Sequence, residues 1–385
     1  MDISIISIVS IFAIIAILII LGIIETNFHL ISLSKIPIRI HVNGARGKSS
    51  VVRLIAAGLR EGGMKTFAKT TGTIPRIINE TGDDVELHRL RSASIGEQIK
   101  LIRYFGKQNP DALVIECMAV NPQYQWISEH RIVRSTLSVI TNVRKDHVDE
   151  MGVSNKEIAY SLSNTIPYNS KVITSEKKMT DSFAEVACNR NSILEISDEK
   201  QINSSYLKKF PYIEHPENIG LALKVCEELG VSTKTALNGM AKTNPDPGAL
   251  FIWNLQKKNE FISAFAANDP DSTLKTWDLI KGRLKNKKVC FFLNTRDDRR
   301  YRTIQLIDLV LGKINPDMLL IRADKVDNLI NKYKSSTRVK LLPMDADQNI
   351  VVDEIMNIQN YSIVGIGNIV GWGDMFLKKL REYKV

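Results

Sequence analysis

"IRIHVNGARGKSSVVRLIAAGL", residues 38–59, is the stretch on which the fold turns. An apolar run ends at Val42, gives way to Asn43, Gly44, Ala45, Arg46, Gly47, Lys48, Ser49 and Ser50, and then resumes with helical spacing. That order predicts a strand, a tight loop and a helix. Small residues in such a loop let backbone N–H groups face phosphate oxygens, and the following helix N-terminus adds partial positive charge. Lys48 is spaced to neutralise β- and γ-phosphates, and the Ser49 hydroxyl to hold Mg²⁺. The loop departs from G-x-x-x-x-G-K-[ST] at one place, because Val42 stands where that pattern has glycine. A chance G-K-S at a helix start is the rival, but the strand–loop–helix setting favours ATP held by Asn43, Gly44, Arg46, Gly47, Lys48, Ser49 and Ser50.

Upstream, Ile3 to Ile24 is an uncharged, mostly aliphatic run. As a helix it is about 33 Å long, enough to cross a hydrocarbon layer of about 30 Å. Asp2 precedes the run and no A-x-A site follows, so a cleaved signal peptide fits poorly. A buried core helix seldom needs so long a chargeless stretch. The expectation is a retained membrane anchor. Lys35, Arg39 and Arg46 follow it, which places the remainder of the chain on the cytoplasmic side of a single-pass span in the cell (inner) membrane.

The 385 residues carry 52 Lys and Arg against 42 Asp and Glu, a net charge of +10. This suits anionic ligands, yet the basic residues are scattered without aromatic interleaving, which argues against nucleic acid. Cys117, Cys188, Cys226 and Cys290 form no C-x-x-C pair, and reduced thiols in a cytosolic compartment fit best.

Downstream, apolar runs alternate with helical patterns such as Asn218–Leu229, where Ile219, Leu223 and Cys226 share a face. Strands are expected at Ile36–Asn43, Lys65–Lys69, Ala112–Glu116, Leu137–Val143, Lys171–Thr174, Val289–Asn294, Met318–Arg322 and Ser362–Gly365. Such alternation predicts α/β architecture with parallel sheets. "NPDPGAL", residues 244–250, interrupts the pattern, and "FIWNLQKKNEFISAFAAN" after it reads as a β-hairpin. The expected organisation is an anchor helix with a connector over 1–35, a P-loop ATP-binding domain over 36–245, and a smaller Rossmann-like α/β domain over 246–385.

Two further groups point to the same rim. Glu116 ends a buried strand, where ligands of parallel sheets gather, and is a candidate magnesium ligand. "NVRKDHVDEMG", residues 142–152, delivers Asp146, His147 and Asp149 past another strand end, as a metal or substrate site.

These features resemble the ATP-dependent Mur ligase and folylpolyglutamate synthase superfamily. "KTTGT", "IGEQ", "IECMAVNPQYQ", "DHVDEMG", "TIPYN", "PDPGA", "AANDPDST", "NTRDDR" and "GIGN", in that order, are similar to the ligase subunits of poly-γ-glutamate synthases. The resemblance implies an amide ligase: ATP phosphorylates a carboxylate, and the amine of an incoming glutamate attacks the acyl phosphate. It implies catalytic roles for Lys48, Glu116 and His147, with Ser49, Glu116 and His147 at the metals. It places Asn268 and Asp269 at the nucleotide and incoming amino acid, and Lys69, Thr71 and Thr73 near the acyl acceptor. Partners implied are glutamate, the growing poly-γ-glutamate chain and other membrane subunits of a synthase.

Two departures from the superfamily stand beside Val42. Residues 160–169 contain no lysine, where many Mur ligases have a carbamoylated one, and Ala249 follows Gly248 where the superfamily has arginine. Arg296 or Arg299 is a candidate to supply that charge at the nucleotide. The alternatives are a Mur-like ligase with another amino-acid acceptor, and a P-loop protein that uses ATP only as a switch for membrane partners.

Overall fold

The computed structural model describes residues 3–72, 75–88, 94–210, 212–246, 249–265, 267–284, 287–296, 300–333, 336–369 and 371–385. The chain forms two compact units, one of Met1–Ile202 with Pro216–Asn244, the other of Asn203–His215 with Pro245–Val385.

The first unit contains an eight-stranded sheet in the order β4-β3-β2-β5-β1-β6-β7-β8. Its strands are β1 (Ile38–Asn43), β2 (Thr66–Thr70), β3 (Arg76–Ile78), β4 (Asp84–Glu86), β5 (Ala112–Glu116), β6 (Leu137–Ile140), β7 (Lys171–Thr174) and β8 (Ile193–Ile196). β2, β5, β1, β6, β7 and β8 run parallel, and β3 and β4 extend the β2 edge antiparallel. Every residue of β5 and of β6 is buried, which is why these read as unbroken apolar runs. The phosphate-loop helix Lys48–Glu61 buries nearly all of its middle turns between this sheet and the helices Pro216–Glu228 and Thr233–Ala241.

The helix that opens the chain, α1, runs from Ile3 to Ser34 without a break. It divides into two parts. The large apolar side chains between Val9 and Ile24 are 44–67% exposed, so this is no core helix. From Glu25 on, the helix docks. The Arg103 guanidinium donates to the Glu25 carbonyl and carboxylate at 3.2 Å each, and His29 Nε2 pairs with the Ile132 carbonyl at 2.8 Å. Leu33 and Ile36 enter a core with Phe67, Leu101, Ile102, Phe105, Leu113 and Ile115. Arg39 braces the helix end, donating from Nη1 to the Ile36 carbonyl at 2.5 Å and to the Leu33 carbonyl, which also accepts from the Ile36 N–H. The stretch 25–35, expected as a connector, is therefore largely helix. One face of it, carrying His29 and Leu33, is buried against the unit, and that contact carries the helix on.

The second unit holds a six-stranded sheet, β13-β12-β11-β14-β10-β9. β9 (Phe251–Asn254) and β10 (Glu260–Ser263) form the antiparallel hairpin; β11 (Lys288–Asn294), β12 (Met318–Arg322), β13 (Arg338–Leu342) and β14 (Tyr361–Gly367) join β10 in parallel. Apolar cores lie around Phe261, Phe292 and Phe376, and around Phe291, Leu306 and Ile321. The α/β, parallel-sheet class expected from the alternation is the class observed.

Candidate active site

The chain leaves β1 through Asn43, whose side chain organises the turn. Asn43 Oδ1 accepts from the Gly44 N–H at 2.8 Å, while Nδ2 donates to Gln125 Oε1 at 2.8 Å and Thr165 Oγ1 at 3.2 Å. Gly44 has φ 132°, and a Cβ there would lie 2.0 Å from Thr141 Oγ1; Gly47 has φ 81° at the helix start. Both conformations require glycine. Val42, by contrast, is a fully buried strand residue in register with Glu116 and Val139. The turn begins two residues later than the longer glycine pattern assumes, so position 42 has no use for glycine. The Arg46 carbonyl accepts from Thr141 Oγ1 at 2.6 Å and Asn142 Nδ2 at 3.0 Å, which ties the loop to the end of β6.

Lys48 folds back over this loop, its Nζ 2.7 Å from the Gly44 carbonyl. Ser49 Oγ donates to Glu116 Oε2 at 2.7 Å, and the Thr71 N–H donates to the same oxygen at 2.7 Å. Glu116 Oε1 accepts nothing from the described residues. A hydroxyl and a half-satisfied carboxylate beside a phosphate-type loop fit a hard divalent cation. Among the described residues no group of three or more His, Cys, Asp and Glu side chains gathers into a metal cage; Ser49 and Glu116 are the pair that could hold magnesium. Ser50 is half-buried on the first turn of the helix.

Asp146 and His147 meet the loop from β6. Asp146 Oδ2 pairs with Arg46 at 3.2 Å and lies 3.9 Å from His147 Nε2. His147 adopts φ 47°, and its ring is half exposed. Lys69 has no exposed surface and pairs with Glu97 Oε1 at 3.2 Å, so in this conformation its charge is committed to the helix Glu97–Gly106. Thr71 touches Glu116 through its backbone; Thr73 lies outside the described residues.

In the second unit the strand ends of β11 and β14 border a pocket lined by Asn268, Asn294, Thr295, Arg296, Arg302 and Asn368, among others. Arg302 Nη1 donates to Asn268 Oδ1 at 3.0 Å. Asp269 is buried and serves as a helix cap, Oδ1 accepting from the Ser272 N–H at 2.9 Å at the start of Pro270–Ile280. Arg299 lies outside the described residues.

Sequence reading missed several polar groups. Gln125 and Thr165, which grip Asn43, are 82 and 122 residues from it along the chain. Below the rim, His41 Nδ1 and Glu129 Oε2 pair at 2.7 Å, both sealed from solvent, and Ser135 donates its N–H and hydroxyl to Glu129 Oε1. Burial opposes a charged imidazole at His41, but the adjoining Cys117 and then the Glu129 carboxylate outweigh it and push the group up to about 10. Burial likewise opposes the Glu129 carboxylate, yet His41 and Ser135 hold it below its usual range. Arg302 was missed because nothing around it in the chain marks it.

Comparison with known proteins bears on both units. Residues 42–240 match the Mur ligase middle domain, and residues 252–383 match the poly-gamma-glutamate synthase CapB C-terminal domain. PGA synthase CapB of Bacillus subtilis (strain 168) is 36% identical over 379 residues, covering 94% of this chain and 95% of that protein. The capsule biosynthesis protein CapB of Bacillus anthracis is 35% identical over 378 residues, covering 94% and 81%. Among solved structures, Escherichia coli FolC in complex with DHPP and ADP has a TM-score of 0.69 at 16% identity, covering 93% of each chain. The Yersinia pestis bifunctional folylpolyglutamate synthase/dihydrofolate synthase, complexed with AMPPNP and Mn ion, has a TM-score of 0.71 at 14% identity, covering 92% of each. At those identities the structures establish a shared fold. The two sequence relatives, matched across nearly the whole chain, establish more: the chain belongs to the CapB family of poly-gamma-glutamate synthases.

Proposed function

We propose that this protein is a membrane-anchored, ATP-dependent amide ligase that elongates poly-γ-glutamate. The observation that carries the reading is the Ser49–Glu116 pair at 2.7 Å beside a glycine-turned loop that ends in Lys48. Family membership supplies the substrate class, and relatives of the same fold bound to ADP or to AMPPNP with manganese support the nucleotide and a divalent metal.

The proposed chemistry has two steps. A carboxylate oxygen of the growing chain attacks the γ-phosphorus of ATP, ADP leaves, and an acyl phosphate forms. The amine of glutamate then attacks the acyl carbon, the amide bond forms, phosphate leaves and the amine loses a proton. Lys48 swings from the Gly44 carbonyl to the phosphates, where its charge is more useful than on a neutral acceptor. Ser49 and the free oxygen of Glu116 would hold magnesium, which when bound compensates the charge of the β- and γ-phosphates. His147, with Asp146 and Arg46, acts at the transferred phosphoryl group. The amides and arginines of the second unit's pocket, Asn268, Arg296 and Arg302, receive nucleotide or incoming amino acid. Lys69, Thr71 and Asp269 act by shaping these surfaces.

The exposed half of α1 supports the anchor; the proposal adds one span in the cell (inner) membrane, both units in the cytoplasm, and other membrane subunits alongside. Purified membranes should release ADP in a glutamate-dependent manner and yield a stable γ-linked amide. ADP release without any amide product would instead leave the ATP-switch reading, and an equal response to other amino acids would reassign the acceptor. Deleting residues 1–24 should free a soluble protein that still binds ATP, because the docked part of α1 stays in place.

A further inference from the structure

We infer that the first unit is seated directly on the membrane surface, through an outward face of the helix Glu97–Gly106 that takes anionic lipid headgroups. This rests on the anchor reading above and deepens it. The first observation is how far the exposed apolar surface of α1 continues. Its apolar run ends at Ile24, yet Phe28 and Ile31 remain 61% and 54% exposed. Ile24, Phe28 and Ile31 follow one another at four- and three-residue spacing, so they form one stripe, while His29 and Leu33 face the protein. The docked segment therefore still offers apolar surface on its far side.

The second observation is what stands beside that segment. Lys100, Arg103, Tyr104 and Lys107 fall at i, i+3, i+4 and i+7 on one helix face. Lys100 and Lys107 are exposed and form no ion pair with the described residues, and Tyr104 is 48% exposed. Arg103 is held against Glu25, one residue past the apolar run. At the other end of the contact, Gly106 closes on Ser32: a Cβ on that glycine would lie 2.8 Å from the Ser32 carbonyl. At about 1.5 Å per residue, the helical positions Glu25 to Ser32 span roughly 2–12 Å beyond the hydrocarbon edge. That interval covers the headgroup layer and about one Debye length. Cations with an aromatic at this depth match an anionic interface.

The full-length chain in lipid vesicles tests this. A nitroxide is placed by Tyr104→Cys in a Cys188→Ser background, and in a separate sample on the native exposed Cys188, and collisions with a water-soluble nickel chelate are measured. In vesicles containing phosphatidylglycerol the label at 104 should be shielded on the order of threefold relative to pure phosphatidylcholine, while the label at 188 is unaffected. Lys100→Glu with Lys107→Glu should abolish that difference. Equal collision rates at 104 in both vesicle types, with the chain resistant to alkaline extraction, overturn the seating and leave the anchor standing. Alkaline extraction of the chain from the vesicles overturns the anchor itself. Shielding found in native membranes but in neither vesicle type assigns the face to a protein partner and overturns the lipid docking.

Discussion

Two carboxylates in the first unit sit close to β1 and are used in opposite ways. Glu129, below the strand, accepts from His41 on one oxygen and twice from Ser135 on the other, sealed from water. Glu116, at the rim, receives Ser49 and Thr71 on a single oxygen and keeps the second unengaged by the described residues. A buried charge with its acceptors filled is compensated where it sits, whereas one half-filled at a strand end leaves an oxygen that a cation could take. What separates the two carboxylates is the number of hydrogen bonds each accepts from the described residues, three at Glu129 and two at Glu116.

Substitution should separate them. Glu129→Gln leaves His41 as a buried charge without its partner, and should cost about 3–5 kcal/mol of stability while the surviving folded protein keeps its turnover. Denaturant unfolding beside activity per folded molecule checks this. The pair also carries a pH signature. His41 is raised in the folded state, so its contribution is complete below the ordinary imidazole range and is lost as pH rises toward 10. Glu129 is lowered, so its share is lost only in acid. The wild-type melting temperature should therefore fall between pH 7 and pH 10, and Glu129→Gln should flatten that slope.

Glu116→Gln should do the reverse, lowering glutamate-dependent ADP release by about 10²–10³-fold, as loss of a preorganised charge partner does, with little change in unfolding. Lys48→Ala should fall in the same range. If either unfolds the protein and spares turnover, the contrast between the two carboxylates collapses. His147→Ala should be milder, about tenfold in amide formation, with MgATP affinity nearly kept, because charge at the transferred group matters most in the transition state. Smallest is Arg302→Ala in the second unit, which removes a hydrogen bond to Asn268 and should raise a substrate KM about fivefold, roughly the worth of one net hydrogen bond. Titration of ATP and glutamate separately will say which substrate that pocket serves.

These two carboxylates also mark what a sequence exposes. Glu116 was legible because it closes an apolar run, and the phosphate loop because its glycines, Lys48 and Ser49 are contiguous. Glu129 lies in the π-helix Ser128–Val133, whose wider turn has no common sequence period, and its partner is 88 residues away. The grip of Gln125 and Thr165 on Asn43 is equally non-local. The central strands such as β5 and β6, buried on both faces, announced themselves, whereas the more exposed β3, β4, β8 and β13 did not. The docked end of α1 did not, since its polar residues Glu25, Thr26, Asn27 and His29 resemble a connector until Arg103 and the Ile132 carbonyl are seen beside them.

The unbroken passage of α1 into the first unit has a mechanical result. In the proposed anchored state, an apolar helix of about 33 Å exceeds a hydrocarbon layer of about 30 Å, and some tilt would take up the excess. Between Ile3 and Ser34 there is no hinge, and Arg39 binds the far end, so the unit must lean with the helix. A thinner layer would then favour more tilt and carry the phosphate loop through the same rotation. In the anchored state, bilayer thickness thus sets the attitude at which the ligase meets whatever lies in the membrane beside it.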